Sequence, residues 1–491
     1  MANSKINYSY IEKIVSSPQF RNMQDKTQLF YSAPKRQVRT RLTHTIEVKV
    51  IARDIGLKIN SGASDELINL DLVDAIALAH DIGHTPFGHV GERTINDIVS
   101  RKDKLGGLLN DTGINVMRFK HNVNSFRILR NLNIEDWRIV EGALCHTKVF
   151  YKGDDCEFRK NPYDPFKEKT AKCDRFLQMY HDISSPPDTK RKLPSLTLEG
   201  QIVAIADEVA QRVADISDGL ESRYFEIVKN ILAINLNIST RDKLELCIRE
   251  TLIGDIVDTT LKNLKKAMPR LAKMDGIHHD VYSDKVVAFS EDMEERNNKL
   301  EMFITKMMAQ SEDVRESDSR SKYIIRQLFK AYLNDVSLLS DKFIAEYFYG
   351  AVNKSAFSAA QYTLTSMKEA EKDKLKAAEK AKEDEEQNQE IGEEIKKLEK
   401  RIKKLEKEIK VFEQIKSGKW RYTEEIPSIS KIVIDMSLVK DYFAILIENE
   451  RTLQIPELNE LFDEYILSIG FYIAGMTNTE AFTSYNRIYG H

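Results

Sequence analysis

Three observations predict an all-α protein. Glycine and proline are sparse, at 20 and 11 of 491 residues. Strand-type alternation is hard to find, whereas apolar residues recur at three- and four-residue spacing in most segments. A segment near the C-terminus carries a regular heptad. The length allows about three ordinary domains, or one large domain with additions. A hydrophobic fraction of 42% is enough for a core.

The first patterned element is RLTHTIEVKVIARDIG (41–56), with Ile46, Val50 and Ile51 on its apolar face and Gly56 as its C-terminal cap. The run VDAIALA (73–79) follows, and Gly83 and Pro86 stop it within a turn. The stretch from about 150 to 195 holds KNPYDPF and SSPPDTKRKLP, whose turn residues mark a loop or small subdomain. Between 197 and 220, Ile202, Ala206, Val209, Val213 and Ile216 form one stripe. A helical block runs from 222 to 363, where Tyr347, Phe348 and Tyr349 read as core.

The heptad lies in IGEEIKKLEKRIKKLEKEIKVFEQI, where Ile395, Ile402 and Ile409 take a positions and Leu398, Leu405 and Phe412 take d positions. Projected upstream, Asn388 falls at a and Ile391 at d. The preceding helix has a poor heptad, so an antiparallel hairpin within the chain competes with a dimeric coiled coil. The expected organisation is a core at 1–221 with the irregular insert, a helical region at 222–363, a charged coiled-coil segment at 364–416 and a C-terminal helical region at 417–491.

Lys and Arg total 74 against 77 Asp and Glu, a net charge of −3, so no strongly basic face is implied and nucleic acid is not the favoured partner. KRQVRTR (35–41) reads as helix-end charge rather than as a nucleic-acid contact. The start, MANSKINYSYIEK, has no apolar signal core, and YILSIGFYIAGM (465–476) is too short to span a bilayer. Cys145, Cys156, Cys173 and Cys247 include no CxxC pair. A cytoplasmic protein without membrane contact is expected.

Five of the ten histidines, His44, His80, His84, His89 and His121, fall in the first quarter of the chain. A lone histidine on an apolar helix face is usually a satisfied core residue, but His80-Asp81 ends a run that buries its apolar face. An ionised aspartate there is costly unless paired or metal-bound. Imidazole with carboxylate suits a divalent metal such as Mn, Fe, Co, Ni or Zn better than calcium. Candidates for further ligands are His44, which opens a helix, and Asp207, which interrupts the stripe of IVAIADEVAQRVADISDGL. Asp207, Gln211 and Asp218 lie within about 40° on a helical wheel and form a polar strip. His278-His279-Asp280 lacks an apolar frame and reads as a loop. His146 reads equally as a pocket residue or a buried one.

The order of His44, His80-Asp81 and Asp207 on separate helices resembles the HD-domain metal phosphohydrolases. Within that superfamily the chain is similar to the deoxynucleoside triphosphate triphosphohydrolases, the dGTPase-like branch. The matching segments are SPQFRNMQDKTQLF (17–30), RTRLTHTIEV (39–48), HDIGHTPFGHVGE (80–92), FKHNVNSFRIL (119–129), EGALCHT (141–147) and ADEVAQRVADISDG (206–219).

The resemblance implies His44, His80, Asp81 and Asp207 as ligands of a divalent metal, Mg among the candidates. It implies Arg41 as a triphosphate contact, and His89 with Glu92 as a proton-transfer pair. His84 and His121 become pocket histidines near the phosphates, Gln28 and Leu29 sugar contacts, and Asp215 a partner of the ribose 3′-hydroxyl. Where the family usually has a sugar-side tyrosine this chain has Gln211, and Ala214 replaces a family histidine. Both departures bear on base and sugar preference.

The implied reaction is hydrolysis of a dNTP to deoxynucleoside and triphosphate. The resemblance also implies a homo-oligomer, with activation by a nucleotide at a second site as in some relatives; because dNTP depletion starves DNA replication, an antiviral defence is a role open to such an activity. Competing readings are another HD-domain phosphodiesterase or nuclease, or a nucleotide-sensing protein with a vestigial site. A guanosine tetraphosphate hydrolase would want HDxxED where this chain has HDIGHT, and a cyclic-dinucleotide enzyme would want a GYP motif, which is absent.

Overall fold

The computed structural model describes residues 8–27, 39–63, 66–110, 119–147, 150–151, 191–192, 195, 197–219, 224–234, 240–271, 285–309, 312–352, 355–384, 389–417, 421–426, 429–449 and 455–490. These residues are overwhelmingly helical, as expected. They divide into two compact units, one drawn from 1–96, 118–325 and 473–491, the other from 97–117 and 326–472. The described residues contain no helix long and apolar enough to cross a membrane.

The first unit is built on α1 (Tyr8–Ser16), α2 (Pro18–Asn22), α3 (Arg41–Gly62), α4 (Leu70–Ala79), α5 (Gly88–Val99), α6 (His121–Asn131), α7 (Trp137–Cys145) and α8 (Leu198–Gly219). It continues through α9 (Phe225–Leu232), α10 (Arg241–Leu271), α11 (Glu291–Ala309) and the first part of α12 (Glu312–Asn334), and closes with a C-terminal helix. Helices α3, α4, α7 and α8 pack on one another. Their buried faces meet through Val48, Ile51, Ile55, Ile76, Ala143, Ile202 and Val209.

The start of α3 is fixed by Thr40. Its hydroxyl accepts from the Thr43 amide, and Thr43 returns the bond to the Thr40 amide, a capping box. Two expectations for α3 are corrected. Ile46 and Val50 are 48% and 49% exposed, while the core face runs through Arg41, His44, Thr45, Val48, Ile51, Ala52, Ile55 and Ile59. Polar side chains at the helix start occupy part of that face, so apolar residues alone did not mark it. Gly56 does not end the helix, which continues to Gly62. It lies where α4 approaches: a Cβ there would sit 2.9 Å from Leu70 Cδ2 and 3.2 Å from Ile68 Cγ2.

The second unit contains the rest of α12, α13 (Asp341–Val352), α14 (Ser355–Asp384), α15 (Gln389–Lys416), α16 (Met436–Glu448) and most of α17 (Pro456–Ala474). The heptad residues Leu398, Ile402, Leu405, Ile409 and Phe412 are buried on α15, which packs against α14 and α16 of the same chain. Asn388 lies outside the described residues. Phe412 sits 4.8 Å from the Phe357 ring and 5.4 Å from Tyr442, in an aromatic core that also holds Tyr347, Phe348, Phe443 and Tyr465. Tyr347 and Phe348 are thus core, as expected, and the Tyr349 side chain is outside the described set.

Two short antiparallel hairpins were not foreseen: β1 (Phe150–Tyr151) with β2 (Arg191–Lys192), and β3 (Arg421–Ile426) with β4 (Ile429–Ile434). The second runs in register from Arg421↔Ile434 to Ile426↔Ile429. Its signal is the β-branched run KIVI, too short to stand out against helical patterning. Most of the irregular 150–195 stretch lies outside the described residues, as does His278-His279-Asp280.

Phe412→Ala would empty the centre of the aromatic core, at an expected cost of about 3–5 kcal/mol. Urea denaturation followed by far-UV circular dichroism checks this; a loss below about 1 kcal/mol contradicts the packing described.

Candidate active site

Each proposed ligand sits where a helix begins, ends or packs. His44 lies in the first turn of α3, and His80 and Asp81 follow the last turn of α4. Asp207 lies midway along α8. Packing of α3, α4 and α8 brings the three segments together. His44 Nε2 lies 2.8 Å from Asp207 Oδ1, and His80 Nε2 lies 3.9 Å from the same oxygen and 3.7 Å from Asp81 Oδ2.

The imidazole of His80 is oriented by the backbone. A carbonyl can only accept, so the 2.7 Å contact of His80 Nδ1 with Ala77 O puts the ring proton on Nδ1. The Nε2 lone pair then points into the cluster, buried and without a hydrogen-bond partner among the described residues. That is the arrangement of a metal-ligating histidine. His44 Nε2 donates to the Asp207 carboxylate, and the other tautomer of the ring would present the Nε2 lone pair to a metal. With one further oxygen from Asp81, the donor set of two imidazoles and two carboxylates fits a borderline divalent cation.

Asp81 is almost fully buried, and burial alone would raise its carboxyl. Arg41 Nη1, donating to Oδ2, and then His80, His84 and His121 outweigh burial and hold it well below the usual carboxylate range. Asp207 behaves alike: its hydrogen bond with His44 and the charge of His80 override burial and keep it ionised. Arg41 is itself buried, and its Nε and Nη2 have no hydrogen-bond partner among the described residues. Three donor positions of one guanidinium therefore remain open beside the carboxylate cluster.

On the other flank, His84 stacks on His121 with ring centroids 4.2 Å apart, and His89 lies edge-on to His84 at 5.1 Å. Burial, then the charges of Arg41 and His121, drive the His84 imidazole well below its ordinary range, so it is neutral. Both its ring nitrogens lack partners among the described residues. Glu92 gathers the other two histidines: Oε2 lies 3.0 Å from His121 Nδ1 and 3.5 Å from His89 Nδ1, and Oε1 accepts from the His121 amide at 3.2 Å. Burial would raise Glu92, but His121 and His89 hold it well below the usual range. The His89 side chain is 46% exposed, giving this group an edge toward solvent.

His146, left open by the sequence, belongs to the cluster. Its Nδ1 donates to Ala143 O at 2.6 Å, and its Nε2 lies 3.3 Å from His121 Nε2 and 3.7 Å from Asp81 Oδ1. Burial, with His80 and His121, lowers it to about 4. Two imidazole nitrogens facing each other at this distance require a proton or cation between them. Lys26 was missed: its buried Nζ donates to His84 O at 2.6 Å and Ala474 O at 2.9 Å. Burial, then Arg41, lowers the amine to about 7. Nothing in MQDKTQ separates this lysine from a surface residue.

The remaining expected positions are placed as follows. Gln211, half-buried, and Asp215, buried, lie one and two turns beyond Asp207 on α8. Gln28 and Leu29 lie outside the described residues, as does most of KRQVRTR.

The sequence that builds this site is matched by known families and proteins. Residues 41–212 match the HD domain family, and residues 287–355 match the phosphohydrolase-associated domain. Residues 41–212 are an HD domain. A deoxyguanosinetriphosphate triphosphohydrolase-like protein of Geobacter metallireducens is 29% identical over 361 residues, 68% of this chain and 78% of that protein. A protein of the same description from Sinorhizobium medicae is 28% identical over 359 residues, with the same shares, and one from Brucella ovis is 29% identical over 357 residues, 67% and 78%. The His/Asp cluster within the HD-domain match is suited to hold a divalent cation.

The double variant His80→Ala, Asp81→Ala removes two donors, and its metal affinity should fall by more than about 100-fold. Metal analysis checks this, with circular dichroism verifying the helices; full metal content in the folded variant contradicts the assignment. Gly83 lies where a Cβ would be 2.1 Å from Ser125 N and 2.4 Å from His121 O. Gly83→Ala should therefore cost about 1–3 kcal/mol in thermal unfolding; an unchanged midpoint contradicts the close approach.

Proposed function

We infer that the protein hydrolyses deoxynucleoside triphosphates to deoxynucleoside and inorganic triphosphate. The observation that carries this reading is the coexistence of a His/Asp cluster that could hold a metal with buried Arg41, one arm of which Asp81 holds in place while three donor positions are open among the described residues. A guanidinium fork so anchored suits phosphate oxygens. The likeness to deoxyguanosinetriphosphate triphosphohydrolase-like proteins supports the same substrate class.

His44, His80, Asp81 and Asp207 hold the metal in this reading. When bound, it supplies Lewis acidity toward a phosphoryl oxygen and the attacking water. Arg41 binds the triphosphate and meets charge that develops on it. His84, neutral and with both nitrogens open, and His121, fixed by Glu92, line the phosphate end. Water adds to the α-phosphorus as the bond to the 5′-oxygen breaks, and His89, oriented by Glu92, gives that oxygen its proton. Gln28, Leu29, Gln211 and Asp215 take the sugar side. A homo-oligomer with an activating nucleotide at a second site, and dNTP depletion directed against replicating viral DNA, complete the proposal.

Ion-exchange analysis of products tests it. The protein is incubated with each dNTP and NTP, singly and mixed, with Mn²⁺ or Mg²⁺, beside the His80→Ala, Asp81→Ala variant. Deoxynucleoside plus triphosphate is expected from the wild type, with at least a 100-fold loss in the variant. Turnover only in mixtures would identify an activating nucleotide. No product from any mixture overturns the reading in favour of another HD-domain phosphodiesterase or a nucleotide sensor.

A further inference from the structure

The loop that joins Asp81 to His89 is fastened at nearly every residue, but its most strained point is held from the far end of the sequence. Gly83 N donates to Ser125 Oγ at 2.9 Å, and Asn124 Nδ2 donates to Gly83 O at 2.8 Å. Thr85 Oγ1 donates to Gly88 O at 2.8 Å. Between them, Phe87 and Gly88 both adopt the left-handed conformation, each with φ of 59°. That is ordinary for glycine and costly for a bulky residue, so surrounding contacts must over-determine it. Phe87 is buried, and its amide donates to Asn478 Oδ1 at 2.7 Å.

Asn478 opens the C-terminal helix α18 (Asn478–Tyr489), whose start is locked by a capping box between Thr477 and Glu480. Its side chain is buried, and its Nδ2 donates to Thr27 Oγ1 at 3.2 Å. The next amide, of Thr479, donates to Asp25 Oδ2 at 3.0 Å. Lys26, between those two residues, ties His84 O to Ala474 O. The segments 25–27, 84–88 and 474–479 are thus laced together immediately before α5, the helix that carries His89 and Glu92.

We propose that Asn478 is a positioning residue for the reaction. By accepting the Phe87 amide it holds the left-handed turn that sets the direction of α5, and so places His89 and Glu92 against His84 and the metal ligands. It contacts neither metal nor phosphate; it acts through the loop. The catalytic consequence rests on the function proposed above, whereas the clasp itself does not.

Two readouts test it. Asn478→Leu removes both side-chain bonds at similar size. Asn478→Asp keeps an acceptor for Phe87, and Thr27 can turn its hydroxyl to donate to the second oxygen. Hydrogen exchange read by mass spectrometry should show amides of 84–92 losing protection by at least tenfold in Asn478→Leu, with α3 and α8 unchanged. With dNTP as substrate, kcat should fall by at least tenfold in Asn478→Leu at little-changed KM and full metal content. Asn478→Asp should stay within threefold of wild type. Thr27→Val, which leaves the Phe87 bond in place, should fall between the two.

Unchanged loop protection in Asn478→Leu overturns the clasp. A kcat equal to wild type in Asn478→Leu, or equally lost in Asn478→Asp, overturns the positioning role. If Asn478→Leu does not fold, Thr27→Val and Asn478→Asp decide by the same measures. A wild type inactive toward every dNTP removes the proposed function, and exchange alone then decides the clasp.

Discussion

The fold of the catalytic unit depends on satisfying one buried carboxylate. Asp81 lies at the end of an apolar helix, where an uncompensated charge would be prohibitive. Its oxygens face Arg41 from α3, His80 from the adjacent position, His121 from α6 and His146 from the end of α7. Of these, Arg41 donates directly to the carboxylate and is the partner that makes the charge tolerable. Breaking such a buried pair by removing one partner costs far more than the net worth of the pair. The same packing gathers histidines and carboxylates that could hold a metal ion.

Histidine orientation extends the argument. His80 and His146 each spend Nδ1 on a backbone carbonyl three residues earlier, Ala77 and Ala143, as their helices end. The last turn of a helix has carbonyls to spare, so two helix ends orient two imidazoles with no further partner. His121 is set by Glu92 instead, through both its ring and its amide. What results is that the Nε2 atoms of His80, His121 and His146 lie 3.7–3.8 Å from Asp81 oxygens, beside a guanidinium whose Nε and Nη2 have no hydrogen-bond partner among the described residues. The His89–Glu92 edge is the more exposed part of the cluster, and His80 and Asp81 lie in its drier interior.

Much of this was legible in the sequence because it depends on short-range pattern. HDIGHTPFGHVGE places a charged pair after an apolar helix and breaks that helix with Gly83 and Pro86, and RTRLTH supplies a cap, an arginine and a histidine within one helical turn. What was not legible depends on approach between distant segments. The core face of α3 could not be read from Ile46 and Val50, because Arg41, His44 and Thr45 are buried for the sake of the site. Gly56 resembled a cap until the neighbouring Ile68 and Leu70 explained it as a point of close packing. Lys26 and Asn478 are polar residues in ordinary surroundings, and only the return of residues 474–479 to the loop gives them a role. Likewise the heptad on α15 marked a buried stripe correctly but carried no information on whether its cover came from the same chain; α14 and α16 supply it.

In the proposed reading one divalent cation is held by His44, His80, Asp81 and Asp207. Anomalous diffraction from crystals of the full chain loaded with Mn²⁺ tests it most directly. The expected result is an anomalous peak within coordination distance of His80 Nε2, His44 Nε2 and one oxygen from each aspartate. Crystals of equal quality with no peak among these four residues, or with the peak elsewhere, would contradict it.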